Sequence, residues 1–96
     1  MNEDEFEWDA AKAGINLEKH GVSFQAACAV FHDVFAFGWC DFDSAPDEVR
    51  YVITGIVNGV FLTVVYTERG ERIRIISARK ATKHEQEEYY RSQTAD

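Results

Sequence analysis

The residues from Arg72 to Glu85 read Arg-Ile-Arg-Ile-Ile-Ser-Ala-Arg-Lys-Ala-Thr-Lys-His-Glu, and their cations are the side chains best suited to hold a phosphate. Arginine presents a planar fork of donors that is always charged, and lysine a compact ammonium group. Arg69, Arg72, Arg74, Arg79, Lys80 and Lys83 face only Glu71 within their own stretch, a local net charge of +5. The whole chain carries −7, so everything outside this stretch sums to −12. A basic strip on an acidic body predicts a focused anion site and argues against a protein that coats nucleic acid along its length. The alternative is a solvated strand face whose arginines pair with the acids at Glu3 to Asp9, Asp41 to Glu48 or Glu85 to Glu88.

The alternation Arg72, Ile73, Arg74, Ile75 predicts a strand with one wet and one dry face. Thr82-x-x-Glu85 is a capping box, so this strand runs straight into a helix over Lys83 to about Arg91, with Arg79 and Lys80 at the junction. Free amides, a positive helix end and two cations at one junction suit a phosphate. That helix is polar except for Tyr89 and Tyr90 and is expected to dock loosely, with Gln93 to Asp96 frayed. Upstream, Asp9 is a good cap for a helix over Ala10 to Lys19, on which Ala10, Ala11, Ala13, Ile15 and Leu17 predict a broad apolar stripe. Gly21 stands where a helix-terminating glycine belongs, which leaves Lys19 and His20 at the negative end of the helix dipole. Ser23 caps a second, short helix with Phe24, Ala27, Cys28 and Phe31 on one face.

Val34 to Cys40 predicts a strand with Phe35, Phe37 and Trp39 on one side. Asp41 to Asp47 predicts an acidic turn, without the ligand order of a calcium loop. Strands over Glu48 to Val57 and Val60 to Thr67 flank Asn58-Gly59, a strong hairpin signal. The expected architecture is α+β: two N-terminal helices, a four-stranded antiparallel β-meander and a C-terminal helix, with the helices over one sheet face. Ninety-six residues, 46% of them hydrophobic, predict a single domain over 1–96. No run approaches a membrane span and the first residues are acidic, so a cytoplasmic protein without membrane contact is expected. Cys28 and Cys40 are too few for a disulfide framework, and Cys28, His32 and Cys40 lack zinc-site spacing, so neither metal nor cofactor is expected.

Phe6-Glu7-Trp8-Asp9, Lys12, Asn16-Leu17 and Lys19-His20-Gly21-Val22-Ser23-Phe24, followed by Val65-Tyr66-Thr67-Glu68-Arg69-Gly70 and Arg74-Ile75-Ile76-Ser77-Ala78-Arg79-Lys80-Ala81-Thr82, then Glu85 and Tyr89, resemble the BrnT family. These are the toxin halves of BrnT/BrnA type II toxin–antitoxin modules. The resemblance spans nearly the whole chain. It implies a RelE-like fold, ribonuclease activity that stops translation, and neutralisation by a cognate BrnA-like antitoxin. That antitoxin carries a ribbon-helix-helix part, through which alone the toxin would reach operator DNA.

On that resemblance, metal-independent RNA cleavage needs a base for the 2′-hydroxyl, cations for the phosphorane charge and a proton for the leaving 5′-oxygen. The expected catalytic set is His20 as proton carrier, Lys19 beside it, and Arg74, Arg79 and Lys80 as stabilisers. Arg72, Tyr66, Lys83 and Tyr89 are the expected RNA contacts, the tyrosines by stacking or by donating to phosphate. Glu85 can orient Arg79 or simply cap its helix, and Tyr89 can equally dock that helix. The competing reading is a catalytically silent module of the same fold that binds an acidic or amphipathic partner.

Overall fold

Residues 5–43 and 47–94 are described by the computed structural model. Asp9 opens the first helix, α1 (Ala10–His20), by accepting from the Lys12 amide at 3.0 Å. Gly21 closes it in the left-handed conformation, φ 70°, its amide bonded to the Leu17 carbonyl at 2.8 Å. Ser23 then caps α2 (Phe24–Val30) by accepting from the Ala26 amide at 3.0 Å. Phe24, Ala27 and Val30 are fully buried, while Cys28 and Phe31 are half-buried at the margin of the same core.

The meander is present as β2 (Phe37–Asp41), β3 (Arg50–Val57), β4 (Val60–Arg69) and β5 (Arg72–Lys80), each antiparallel to the next. Asn58 at φ 50° and Gly59 at φ 80° close the β3–β4 hairpin, the two positive dihedrals that an Asn-Gly turn supplies. The sheet has a fifth strand that the alternation pattern does not reveal. β1 (Phe6–Glu7) pairs in parallel with β5, Phe6 opposite Ile73 and Glu7 opposite Arg74, giving the order β1-β5-β4-β3-β2. Two residues are too few to show a period, so the four-stranded antiparallel sheet is corrected to a five-stranded mixed one.

The helices also do not share one face. Leu62, Val64, Ile75 and Ala78 meet α1 and α2 in the main core, with Phe6, Val22 and the buried residues of α2. α3 (Lys83–Thr94) packs on the reverse side, where Phe61 meets Tyr89 and Tyr90 and Thr63 meets Glu85. Phe61 and Thr63 alternate with Leu62 and Val64, so they point the other way. Ala95 and Asp96 of the expected frayed tail lie outside the described residues, as do Ser44, Ala45 and Pro46 of the expected acidic turn.

Two local expectations fail for identifiable reasons. Val34 and Phe35 are exposed and precede β2, because Asp33 folds the chain into a turn: its side chain accepts from the Phe35 amide at 3.0 Å and its carbonyl from Ala36 at 3.0 Å. On α1, Ile15 and Leu17 are 62% and 50% exposed and Ala10 and Ala11 are exposed, so the expected apolar stripe is not the packing face. Asn16 is buried in its place. The helix lies along the edge of β5 beyond the reach of β1, where backbone groups lack a strand partner. Asn16 supplies one: it donates to the Ala78 carbonyl at 2.8 Å and the Val22 carbonyl at 2.9 Å, and accepts from the Ala78 amide at 3.2 Å. Asn16→Leu keeps the branching of the side chain but leaves three buried backbone groups unpaired. It is expected to cost at least about 2 kcal/mol and to lower the thermal midpoint by roughly 8–16 °C. Thermal unfolding of the variant at wild-type temperature would show the bonds to be marginal.

Candidate active site

The cations of β5 form a stripe because the strand is irregular. Ser77 pairs with Val65 and Ile75 with Tyr66, so Ile76 is an extra residue in the ladder. Strict alternation would put Arg74 and Arg79 on opposite faces. The bulge resets the phase, and Arg72, Arg74, Ser77 and Arg79 all take the face of their partners Arg69, Thr67, Val65 and Thr63. This is the face away from α1 and α2. The stripe is long: Arg72 and Arg79 are separated by roughly 20 Å of strand, so they do not converge on one phosphate, and Lys80, paired with Leu62, falls on the other face.

Both inner arginines have carboxylate partners. Arg74 donates to Glu7 at 2.9 Å, the pairing that β1 brings to the neighbouring register position. Arg79 binds Glu85 through both terminal nitrogens, at 2.7 and 2.8 Å. Glu85 is 8% exposed and also accepts from the Thr82 amide at 2.8 Å and the Thr63 hydroxyl at 2.9 Å, while its own amide donates to Thr82 at 3.1 Å. The capping box is therefore formed, and the same glutamate also orients Arg79. Thr54 and Thr63, 2.7 Å apart, extend the network under the sheet. Burial pushes the Glu85 carboxyl upward, but the Arg79 guanidinium, the Thr82 amide and the Thr63 hydroxyl outweigh it and bring its pKa down to about 2.

The second group of cations meets β5 at its edge. Lys12, Ile15, Asn16, Lys19 and His20 line one side of a groove of about 220 Å³, and Ile76 and Ser77 of the bulge line the other. Those α1 positions follow helical spacing, so one face of the helix supplies them all. Arg74 approaches the same region from the sheet. The Asp9 carboxyl is held below its ordinary value by the Lys12 amide first, with the Lys12 and Arg74 charges adding to the effect. Lys12, Lys19 and His20 thus border a groove whose floor is the pinned edge of β5, while Arg74 stands near Asp9 at the start of α1.

The remaining predicted residues are dispersed. Lys80 and Lys83 are exposed on either side of the strand–helix junction, and Arg72 is exposed at the far end of β5 beside the β4–β5 turn. Tyr66 faces the main core, stacked on Tyr51 at 5.4 Å and edge-on to Phe31 at 4.9 Å, on the opposite side of the sheet from Arg74 and Arg79. Tyr89 is 3% exposed and donates to the Asp33 carboxylate at 2.7 Å, so it docks α3. α3 is accordingly not loosely held. Asp33 accepts also from the Ile56 amide at 2.9 Å and so joins the α2–β2 turn, the end of β3 and α3. Burial and the Asp33 hydrogen bond raise the Tyr89 pKa to about 12. Tyr89→Phe is expected to cost about 1–2 kcal/mol at neutral pH. A raised phenol pKa contributes stability below pH 10 that disappears toward pH 12, so the variant should also lose part of the wild-type decline in stability over that interval. Equal unfolding curves for the two proteins from pH 7 to 12 would contradict this.

A groove bordered by two lysines and a histidine has the cations and the proton carrier that a phosphodiester calls for. Residues 8–85 match the sequence profile of a family described as the ribonuclease toxin, BrnT, of type II toxin-antitoxin systems. The chain belongs to the BrnT family. The match takes in both sides of the groove, from Trp8 through α1 and on through β5 to Glu85. The family is one of ribonuclease toxins, with an antitoxin partner and an RNA target. A comparison with curated proteins finds no match. No helix among the described residues of this BrnT chain is long and apolar enough to cross a membrane.

Sequence reasoning passed over Lys12, Glu7, Asp33 and Ser77 as site or supporting residues. Lys12 was open to discovery through its i, i+7 spacing to Lys19. Glu7 and Ser77 had no comparable signal, because their positions depend on a parallel strand and a bulge.

Proposed function

We propose that this BrnT chain cleaves RNA without a metal ion, and that a BrnA-like antitoxin with a ribbon-helix-helix part neutralises it. In this reading operator DNA is reached only through the antitoxin. The observation that carries the reading is the gathering of Lys12, Lys19 and His20 along one groove against Ile76 and Ser77 of β5. His20 takes the proton from the 2′-hydroxyl, whose oxygen bonds to phosphorus as the bond to the 5′-oxygen breaks. Lys19 stabilises the charge on the phosphorane oxygens, and Arg74, Arg79 and Lys80 hold the strand to either side of the cut. A proton returns to the leaving 5′-oxygen, leaving a 2′,3′-cyclic phosphate and a 5′-hydroxyl.

Purified protein in excess chelator should cleave an unstructured RNA, and a 2′-deoxy substitution at the scissile nucleotide should abolish the cut there. Growth arrest on induction should be relieved by co-expression of the antitoxin. Cleavage that needs an added divalent ion, or that survives the 2′-deoxy substitution, would remove this mechanism. The catalytically silent binding module is the second reading, favoured by the carboxylate partners of Arg74 and Arg79. Under it, RNA remains intact in chelator and in metal alike while the antitoxin still binds.

A further inference from the structure

The groove holds more than cations. Ile15 is 62% exposed on the helix side, and the bulge residue Ile76 faces it across the opening, with Ser77 beside it. An isoleucine left in water on α1 contributes nothing to the core, and the bulge that brings Ile76 to the rim interrupts the β5 ladder. Bulges of this kind re-aim a side chain next to a site. Lys12 and Lys19 are seven residues apart on one helix face, about 10 Å along its axis, and stand at the two ends of the apolar pair. We infer that the groove between α1 and the β5 bulge is a nucleobase subsite: Ile15 and Ile76 sandwich one unpaired base of an RNA strand, Ser77 meets its polar edge, and Lys12 and Lys19 hold the flanking phosphates.

The chemistry follows from what an unpaired base offers. Its faces are apolar and flat, and are held between apolar or aromatic side chains, while its edge carries donors and acceptors. The Ser77 hydroxyl can both donate and accept, so it can meet any base edge. About 220 Å³ in an open groove suits one nucleotide rather than a stacked run or a duplex. Asn16 makes the slot rigid, because its three bonds to Ala78 and Val22 fix the helix against the strand edge. The inference rests on the proposed nuclease reading for its biological meaning, but base binding itself can be measured without cleavage.

The test uses the full chain, the four nucleoside 3′-monophosphates, and ribose 5-phosphate as the probe without a base, with binding followed by isoleucine methyl and backbone amide resonances. At least one nucleotide should shift the Ile15 and Ile76 methyls and bind five-fold or more tightly than ribose 5-phosphate. Ile15→Ser should weaken that nucleotide by five-fold or more, leave ribose 5-phosphate binding as it was, and keep the thermal midpoint, since the side chain lies in solvent. On a mixed-sequence RNA the same variant should redistribute the cleavage positions. Equal affinity for nucleotide and ribose 5-phosphate, shifts confined to the lysines, or an unaltered cleavage pattern in Ile15→Ser would overturn the base subsite and leave the nuclease reading intact. Base-selective binding by a protein that cuts no RNA would support the subsite and remove the nuclease reading.

Discussion

Glu85→Ala is expected to lower the thermal midpoint by roughly 12–24 °C, a larger loss of stability than either Asn16→Leu or Tyr89→Phe brings. Glu85 is buried and takes four contacts at once: two from Arg79, one from the Thr82 amide and one from the Thr63 hydroxyl. Breaking a buried pair by removing one member costs about 3–5 kcal/mol. The Arg79 side chain is 36% exposed and can recover water, which places the cost near the low end of that range, about 3 kcal/mol. Glu85→Gln should cost less, because the amide oxygen can still accept from Thr82, Thr63 and one Arg79 nitrogen, although its NH2 replaces the acceptor for the other and the charge is lost. Acid sensitivity separates the two contributions. The Glu85 carboxyl titrates at about 2 in the folded chain against 4.5 ordinarily, so its stabilisation is complete above pH 4.5 and is lost as pH falls toward 2. Wild-type unfolding free energy should therefore fall through that interval more steeply than that of Glu85→Gln, when both are followed by denaturant titration. Parallel curves would mean that the Arg79–Glu85 pair carries no net stabilisation.

The elements that could be read from the sequence are those whose cause is local. Asp9, Ser23 and the Thr82–Glu85 box each announce a helix start within four residues, and Asn58-Gly59 a hairpin within two, and all four formed. What could not be read depends on partners distant in the chain. β1 exists because Phe6 and Glu7 lie against Ile73 and Arg74, 67 residues away. α1 misled for the same reason. Ile15 and Leu17 have the composition of a packing stripe, but the helix faces unpaired backbone at Ala78, and only a side-chain amide satisfies that surface. The apolar residues were left for the groove and for solvent.

The candidate site divides along the same line. Side-chain chemistry marks Lys19, His20, Arg74 and Arg79 as the groups fit for a phosphodiester. Their arrangement turns on one inserted residue, since without the Ile76 bulge Arg74 and Arg79 would project from opposite faces. Both arginines also have structural duties, Arg74 toward Glu7 and Arg79 toward Glu85. Arg79→Ala therefore confounds stability with activity, because it strands a buried carboxylate. A substitution aimed at chemistry has to fall on cations with less to hold.

Lys19 and His20 meet that requirement, and the double substitution Lys19→Ala, His20→Gln is expected to reduce RNA cleavage by roughly 10²–10⁴-fold. Loss of a positioned proton carrier alone is worth about that much, and loss of the neighbouring cation adds to it. Stability should move little. Lys19 is exposed, His20 half-buried, and no ion pair to either is formed among the described residues. Each forfeits only its interaction with the C-terminal end of α1, about 0.3–1 kcal/mol. The informative comparison is therefore cleavage rate against unfolding midpoint for this variant and for Glu85→Ala. The first should lose activity at nearly wild-type stability. The second should lose stability, and regain its activity at temperatures well below its midpoint, since Arg79 is then released but present. A double variant that retains cleavage within a few-fold would move the chemistry off the α1 groove and onto the arginine stripe of β5 alone. His20→Gln and Lys19→Ala tested singly would then decide whether either side chain does more than complement the helix end, because a dipole partner leaves no trace in a pH–rate profile while a proton carrier removes one limb of it.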